Sequence, residues 1–163
     1  MSDGPAGRLS HVTPDGTARM VDVGGKPETA RMARATGRII MTRATLEAIV
    51  GNTLAKGDVL GVARVAGIMA AKRTAELIPL CHPLPLTDVR IEFVADSALP
   101  GVRVEAVVRT VGRTGVEMEA LAGATIALLT VYDMTKAMDK SMVINDIALA
   151  EKTGGAGGPY ARP

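Results

Sequence analysis

The sequence predicts an α+β protein, a ferredoxin-like sandwich in which a mostly antiparallel sheet carries its helices on one face. Three observations lead there. Thr87 to Ala95 and Gly101 to Val111 each alternate apolar and polar residues over strand lengths, and Asp96, Ser97, Pro100 and Gly101 supply the turn of a hairpin between them. Long helical patterns stand before and after that hairpin. A short strand opens the series and another closes it, so the order is strand, two helices, hairpin, helix, strand.

Taken in order, residues 1 to about 35 are rich in Gly, Pro and Thr without a sustained apolar period, and read as an extended N-terminal arm. A strand follows at Gly37 to Met41. Thr42 then caps a helix over Arg43 to Val50, and Asp58 caps the next, which runs to about Ile78. Gly61, Ala63, Ala66, Gly67, Ala70 and Ala71 leave one face of that helix nearly bare, open to close approach by another backbone. Pro79, Pro83 and Pro85 stop the helix and hold IPLCHPLPL extended. After the hairpin, Thr114 to Glu117 has the form of a capping box for a second long helix, to about Met138. A last strand covers about Ser141 to Ala148. The expected organisation is an arm at 1–35, a single α+β domain at 36–153 and a flexible Gly-rich tail at 154–163.

Composition narrows the function. Among 163 residues, 19 Lys and Arg face 17 Asp and Glu, too even a balance for a nucleic-acid surface driven by counterion release. Phe93, Tyr132 and Tyr160 are the only aromatic residues, too few for a base-stacking platform. One cysteine, Cys81, excludes an intrachain disulfide and suits a reducing compartment, and two histidines besides leave no zinc-type ligand set. The uncharged run Ala120 to Tyr132 is too short to span a bilayer, and MSDGPAGRLSHVTPDG lacks the apolar core of a signal peptide. A cytoplasmic protein is expected, with neither membrane nor nucleic acid as partner. P-loop, dinucleotide-binding and nucleophile-elbow motifs are absent.

Candidate chemistry lies at a few places, each with a structural alternative. Cys81 and His82 sit between prolines on an extended segment, so they point to opposite sides; a buried thiol beside a surface imidazole reads equally well. On the second long helix Asp133 and Lys136 are i,i+3 neighbours, an acid–base pair or simply a surface ion pair. Glu119, fourteen residues before Asp133, falls about 40° away on the same stripe but about 21 Å along the axis. One small substrate touches both only if a second chain supplies one of them. Glu117 is the acid of the capping box. Lys56, just before a helix N-terminus, is placed to bind an anion. Together these groups fit acid–base work on a small anionic substrate.

The wording of several segments is more specific. Met20-Val21-Asp22-Val23, Lys56-Gly57-Asp58-Val59, Ala70-Ala71-Lys72-Arg73-Thr74, IPLCHPL at 78–84, TGVEMEAL at 114–121 and YDMTKA at 132–137 occur in one order. That order resembles the MoaC family, the cyclic pyranopterin monophosphate synthases of molybdenum cofactor biosynthesis, over about Leu9 to Gly155. The resemblance implies a ferredoxin-like subunit in a hexamer, a trimer of dimers, with active sites between subunits. It implies conversion of 3′,8-cyclo-7,8-dihydroguanosine triphosphate, a purine nucleotide derivative, to cyclic pyranopterin monophosphate with loss of diphosphate. No cofactor is implied beyond Mg²⁺ accompanying the triphosphate, and no resident metal. By resemblance Asp133 and Lys136 are the catalytic pair and Lys56 a further catalytic lysine. Leu80, Cys81, His82, Glu117, Met118 and Glu119 correspond to substrate-binding segments, with Lys152, Lys72 and Arg31 as further contacts. His82 is expected to donate to a guanine-derived carbonyl or a phosphate oxygen. Thr135 stands where many relatives of this pattern carry Cys.

Overall fold

The computed structural model describes residues 15–163. Five strands and four helices follow in the order β1 (Thr29–Ile40), α1 (Arg43–Val50), α2 (Val59–Lys72), α3 (Thr74–Leu77), β2 (Leu86–Asp96), β3 (Gly101–Gly112), α4 (Glu117–Thr135), β4 (Val143–Thr153) and β5 (Tyr160–Ala161). The strands form one antiparallel sheet in the order β2-β3-β1-β4-β5. Residues alternate along β1: Ala33, Ala35 and Ile39 are fully buried beneath the helices, while Arg34 and Arg38 point to the opposite face. There Arg34 bridges Glu105 (3.1 Å) and Glu151 (3.3 Å), and Arg38 pairs with Asp146, so charge rather than a second layer covers that side. The helical layer is α2 and α4, packed against each other and against the sheet.

Small residues set the spacing of that layer. Ala63, Gly67, Ala70 and Ala71 of α2 are buried, and so are Ala120, Gly123, Ala124 and Ala127 of α4. A β-carbon on Gly67 would lie 2.9 Å from the Gly123 carbonyl oxygen and 3.1 Å from the Ala127 β-carbon. The bare face anticipated on α2 is therefore used inside the chain. Larger apolar groups fill the floor and flanks: Ile39, Ile91, Val102, Val104, Val108, Leu128 and Val131.

Local chemistry fixes the element ends, sometimes elsewhere than the sequence suggested. Thr42 and Asp58 cap α1 and α2 as expected, accepting from Thr45 N and Gly61 N. Helix α2 stops at Lys72 rather than Ile78: Arg73 leaves helical geometry (φ −113°, ψ 15°), and the chain restarts as the single turn α3 with the Thr74 hydroxyl donating back toward the carbonyls of Ala70 and Ala71. Thr114 does not cap α4: Val116 holds the N-cap position without a side-chain bond, and Glu117 turns instead to Lys152. Helix α4 ends at Thr135, and β4 runs to Thr153. Strand β1 begins at Thr29, inside the segment expected as an arm; residues 1–14 of that arm lie outside the described residues. In the tail, Tyr160–Ala161 pairs with Lys152 and Glu151, and Arg162 N donates to Ala150 O (2.9 Å). At the other sheet edge Arg64 of α2 lies over Phe93 and donates to the Ile91 carbonyl (3.0 Å).

Asp139, only 6% exposed, ties the end of α4 to both neighbours: it accepts from Thr42 N (2.8 Å), Ser141 N (2.9 Å) and Ser141 Oγ (2.6 Å). The Ser141 hydroxyl first, then the Thr42 amide, hold its carboxyl below the ordinary Asp range.

Two stability predictions follow from these contacts. Gly67→Val forces α2 away from α4 and lowers the unfolding free energy by about 3 kcal/mol in a denaturant titration, with an unchanged midpoint as the contrary result. A depressed carboxyl stabilises above its unfolded pKa, about 3.9, and loses that contribution as pH falls through the folded value. Asp139→Asn is therefore less stable than wild type near neutral pH, and the gap in Tm narrows below about pH 4.

Candidate active site

Helix α4 carries a separate cluster at each end. At its N-terminus the proline-held loop 78–84, tightened by a Cys81 N to Ile78 O bond, folds over the first turn. Ile78, Leu80, Cys81, His82, Leu84, Thr114, Gly115, Glu117 and Met118 enclose a cavity of about 500 Å³. Cys81 and His82 both border this cavity but engage different partners. The Cys81 thiol donates to Glu119 Oε1 (3.6 Å), and His82 Nε2 lies 2.8 Å from the carbonyl oxygen of Val21. Glu119 is 3% exposed, and its Oε2 has no hydrogen-bond partner. Burial pushes the Glu119 carboxyl above its usual range, and burial, then the Glu119 charge, pushes the Cys81 thiol up to about 11. Near neutral pH Cys81 is thus a thiol and a hydrogen-bond donor, poorly suited to nucleophilic attack.

Glu117 borders the same cavity and pairs with Lys152 of β4 at 3.1 Å, both partly shielded. Its carboxylate occupies the space a β-carbon at position 115 would take, so a side chain there would displace the Glu117 carboxylate. Arg31 lies beside this end: Nε donates to Gly112 O (2.8 Å) and Nη2 to Arg113 O (3.1 Å), with Gly155 packed on its guanidinium.

At the C-terminal end of α4, Lys136 Nζ bonds Asp133 Oδ1 (2.6 Å). Lys56 Nζ donates to the Asp133 carbonyl (3.1 Å) and lies 3.9 Å from its carboxylate. Lys56 thus turns to the negative end of α4, where a cation is favoured, rather than serving the N-terminus of α2. The Lys136 hydrogen bond, then the charges of Lys136 and Lys56, hold the Asp133 carboxyl below its usual range; the same bond raises Lys136. All three side chains are exposed.

The expected residues therefore form two groups about 21 Å apart along the helix axis. Leu80, Cys81, His82, Glu117, Met118, Glu119 and Lys152 gather at one end, with Arg31 adjacent, and Lys56, Asp133 and Lys136 at the other. Lys72 joins neither, bordering a recess of about 340 Å³ with Leu84, Thr87 and Asp88. The shared stripe proposed for Glu119 and Asp133 is half buried and half exposed, because loop 78–84 covers only its N-terminal end. Sequence reasoning missed Val21, Thr114 and Gly115. The first lay in a segment read as a loose arm, and the others were assigned to a cap. Among the described residues no group of three or more His, Cys, Asp or Glu side chains is placed to hold a metal, and no helix is long and apolar enough to cross a membrane.

Comparison with known proteins agrees over nearly the whole chain. The sequence model of the MoaC family matches residues 20–155. A cyclic pyranopterin monophosphate synthase of Brucella ovis is 55% identical over 156 residues, covering 96% of this chain and 94% of the relative. One from Heliobacterium modesticaldum is 56% identical over 154 residues, covering 94% and 97%. Both ends of α4, loop 78–84 and the strand carrying Lys152 fall inside the matched region, and the chain belongs to the MoaC family.

Proposed function

We propose that this chain is a cyclic pyranopterin monophosphate synthase acting in molybdenum cofactor biosynthesis. The observation that carries the proposal is the full-length likeness, above 50% identity, to relatives bearing that name. The reaction is a diphosphate-releasing cyclisation, of the lyase type, on 3′,8-cyclo-7,8-dihydroguanosine triphosphate in the cytoplasm. The purine-derived ring opens and recloses through proton transfers at nitrogen and oxygen. A hydroxyl then attacks the α-phosphorus, its proton passes to a base, and the bond to diphosphate breaks.

The electrostatics suit that sequence of steps. Lys136, raised by Asp133, enters as an ammonium and a proton donor, while Asp133 enters as a carboxylate that orients it. Lys56 beside them, with Arg31 from the cavity end, supplies cations for the transferring phosphoryl group and for the diphosphate. Mg²⁺ bound with the triphosphate would add to the charge neutralisation these cations provide. At the other end, the cavity with His82 and Glu117, backed by Glu119 behind Cys81, accommodates the base-derived portion.

The axial gap between these groups supports a site completed by a second copy, one chain giving Asp133, Lys136 and Lys56 and its partner giving the cavity. Val62, Val65 and Met69 stand exposed together on α2, an apolar face consistent with burial between copies. A hexamer built as a trimer of dimers is the assembly we assign to this arrangement.

Two outcomes test the reading. Supplied with the cyclised dihydro-GTP, wild type yields cyclic pyranopterin monophosphate and diphosphate by mass spectrometry. Lys136→Ala keeps its fold and loses about 10²- to 10⁴-fold in turnover; a Lys136→Ala enzyme with full activity removes that residue from the chemistry. Mixed oligomers of Asp133→Ala and Glu119→Gln chains regain activity that neither has alone, and verified mixtures without recovery place the whole site in one chain.

A further inference from the structure

The segment before β1 is pinned beside His82. Asp22 Oδ1 accepts from Gly24 N (2.8 Å), Val23 O accepts from Lys26 N (3.0 Å), and Arg113 Nη1 donates to Gly24 O (2.8 Å). Arg113 Nε also lies 3.6 Å from Glu28. Together these bonds hold the Val21 carbonyl oxygen 2.8 Å from His82 Nε2. A carbonyl oxygen has lone pairs and no proton to give, so Nε2 carries the hydrogen. In the neutral ring Nδ1 is then an acceptor. Nδ1 has no hydrogen-bond partner among the described residues, and His82 borders the 500 Å³ cavity.

We infer that the Val21 carbonyl, held in place by Asp22 and Arg113, is a positioning group that fixes His82 as its Nε2–H tautomer and offers Nδ1 to the substrate as a hydrogen-bond acceptor. This rests on the cavity being the substrate site of the proposed synthase. It departs from the sequence expectation for His82: in its neutral form a ring held this way has no second N–H to give a carbonyl or phosphate oxygen. The substrate group it meets is an N–H or O–H, from the purine-derived ring or a sugar hydroxyl. Ionised phosphate oxygens, being acceptors, are turned away from this corner and toward the lysines and Arg31. Val21, Asp22 and Arg113 thus contribute to the orientation of a substrate they need not touch.

The chain has two histidines, so His11→Gln leaves one imidazole to observe by ¹⁵N-resolved NMR of the full-length protein without substrate near neutral pH. With the ring in its neutral form, the expected spectrum shows the Nε2–H tautomer alone, and adding Asp22→Ala with Arg113→Gln converts it to a mixture of tautomers. A neutral ring found as the Nδ1–H tautomer, or a spectrum unmoved by the paired substitutions, overturns the inference. In turnover, the same pair lowers kcat/KM about 3- to 10-fold, the cost of one misplaced neutral hydrogen bond. The loss disappears in a His82→Gln background. An equal loss in both backgrounds means that the segment acts other than through His82. Because the spectrum needs no substrate, failure of the reaction assay bears on the proposed function and leaves the tautomer result standing.

Discussion

The contact between α2 and α4 governs the architecture. At Gly67 and Gly123 the two backbones approach with no side chain between them, and flanking alanines keep the seam narrow. Helices this close share a thin layer, which lets α4 lie across β1, β3 and β4 while α2 reaches β2. Both ends of α4 then emerge at opposite borders of the layer. The apolar area per residue is small in such a seam, so stability comes from contact density and from the larger groups beneath, Ile39, Ile91 and Leu128 among them.

From that placement the two ends of one helix acquire opposite chemistry. The N-terminal dipole favours negative charge, yet burial dominates at Glu119 and raises its carboxyl, because the peptide dipoles do not replace the water it has lost. Three turns and more away, Asp133 is exposed, flanked by two lysines, and stays ionised far more readily. Two carboxyls on one helix are pushed apart by their surroundings.

Much of this was legible in the sequence, for reasons that differ by element. The β2–β3 hairpin showed itself by alternation and turn residues, and the caps Thr42 and Asp58 by their side-chain chemistry. Strand β1 was read eight residues short. Its alternation is real, with Ala33 and Ala35 inward and Arg34 and Thr36 outward, but alanine carries little strand signal and is buried here only because the helices come so near. The Thr-x-x-Glu pattern at 114–117 misled because Lys152, distant in sequence, competes for Glu117. Pairings of that kind, like the approach of Val21 to His82, depend on tertiary closure and leave no local period. The resemblance to a family, by contrast, rested on several motifs in fixed order and needed no geometry at all.

The last strand has two residues, too few to add much to the core, and its value lies at the border. A sheet that ended on the long ladder of β4 would present a row of free amides and carbonyls to any passing chain. Tyr160 and Ala161 occupy part of that row, and on the far side Arg64 engages a carbonyl of β2. Both margins of the sheet are therefore blunted against lateral growth. The backbone groups engaged at these borders are unavailable for pairing with a strand of another chain.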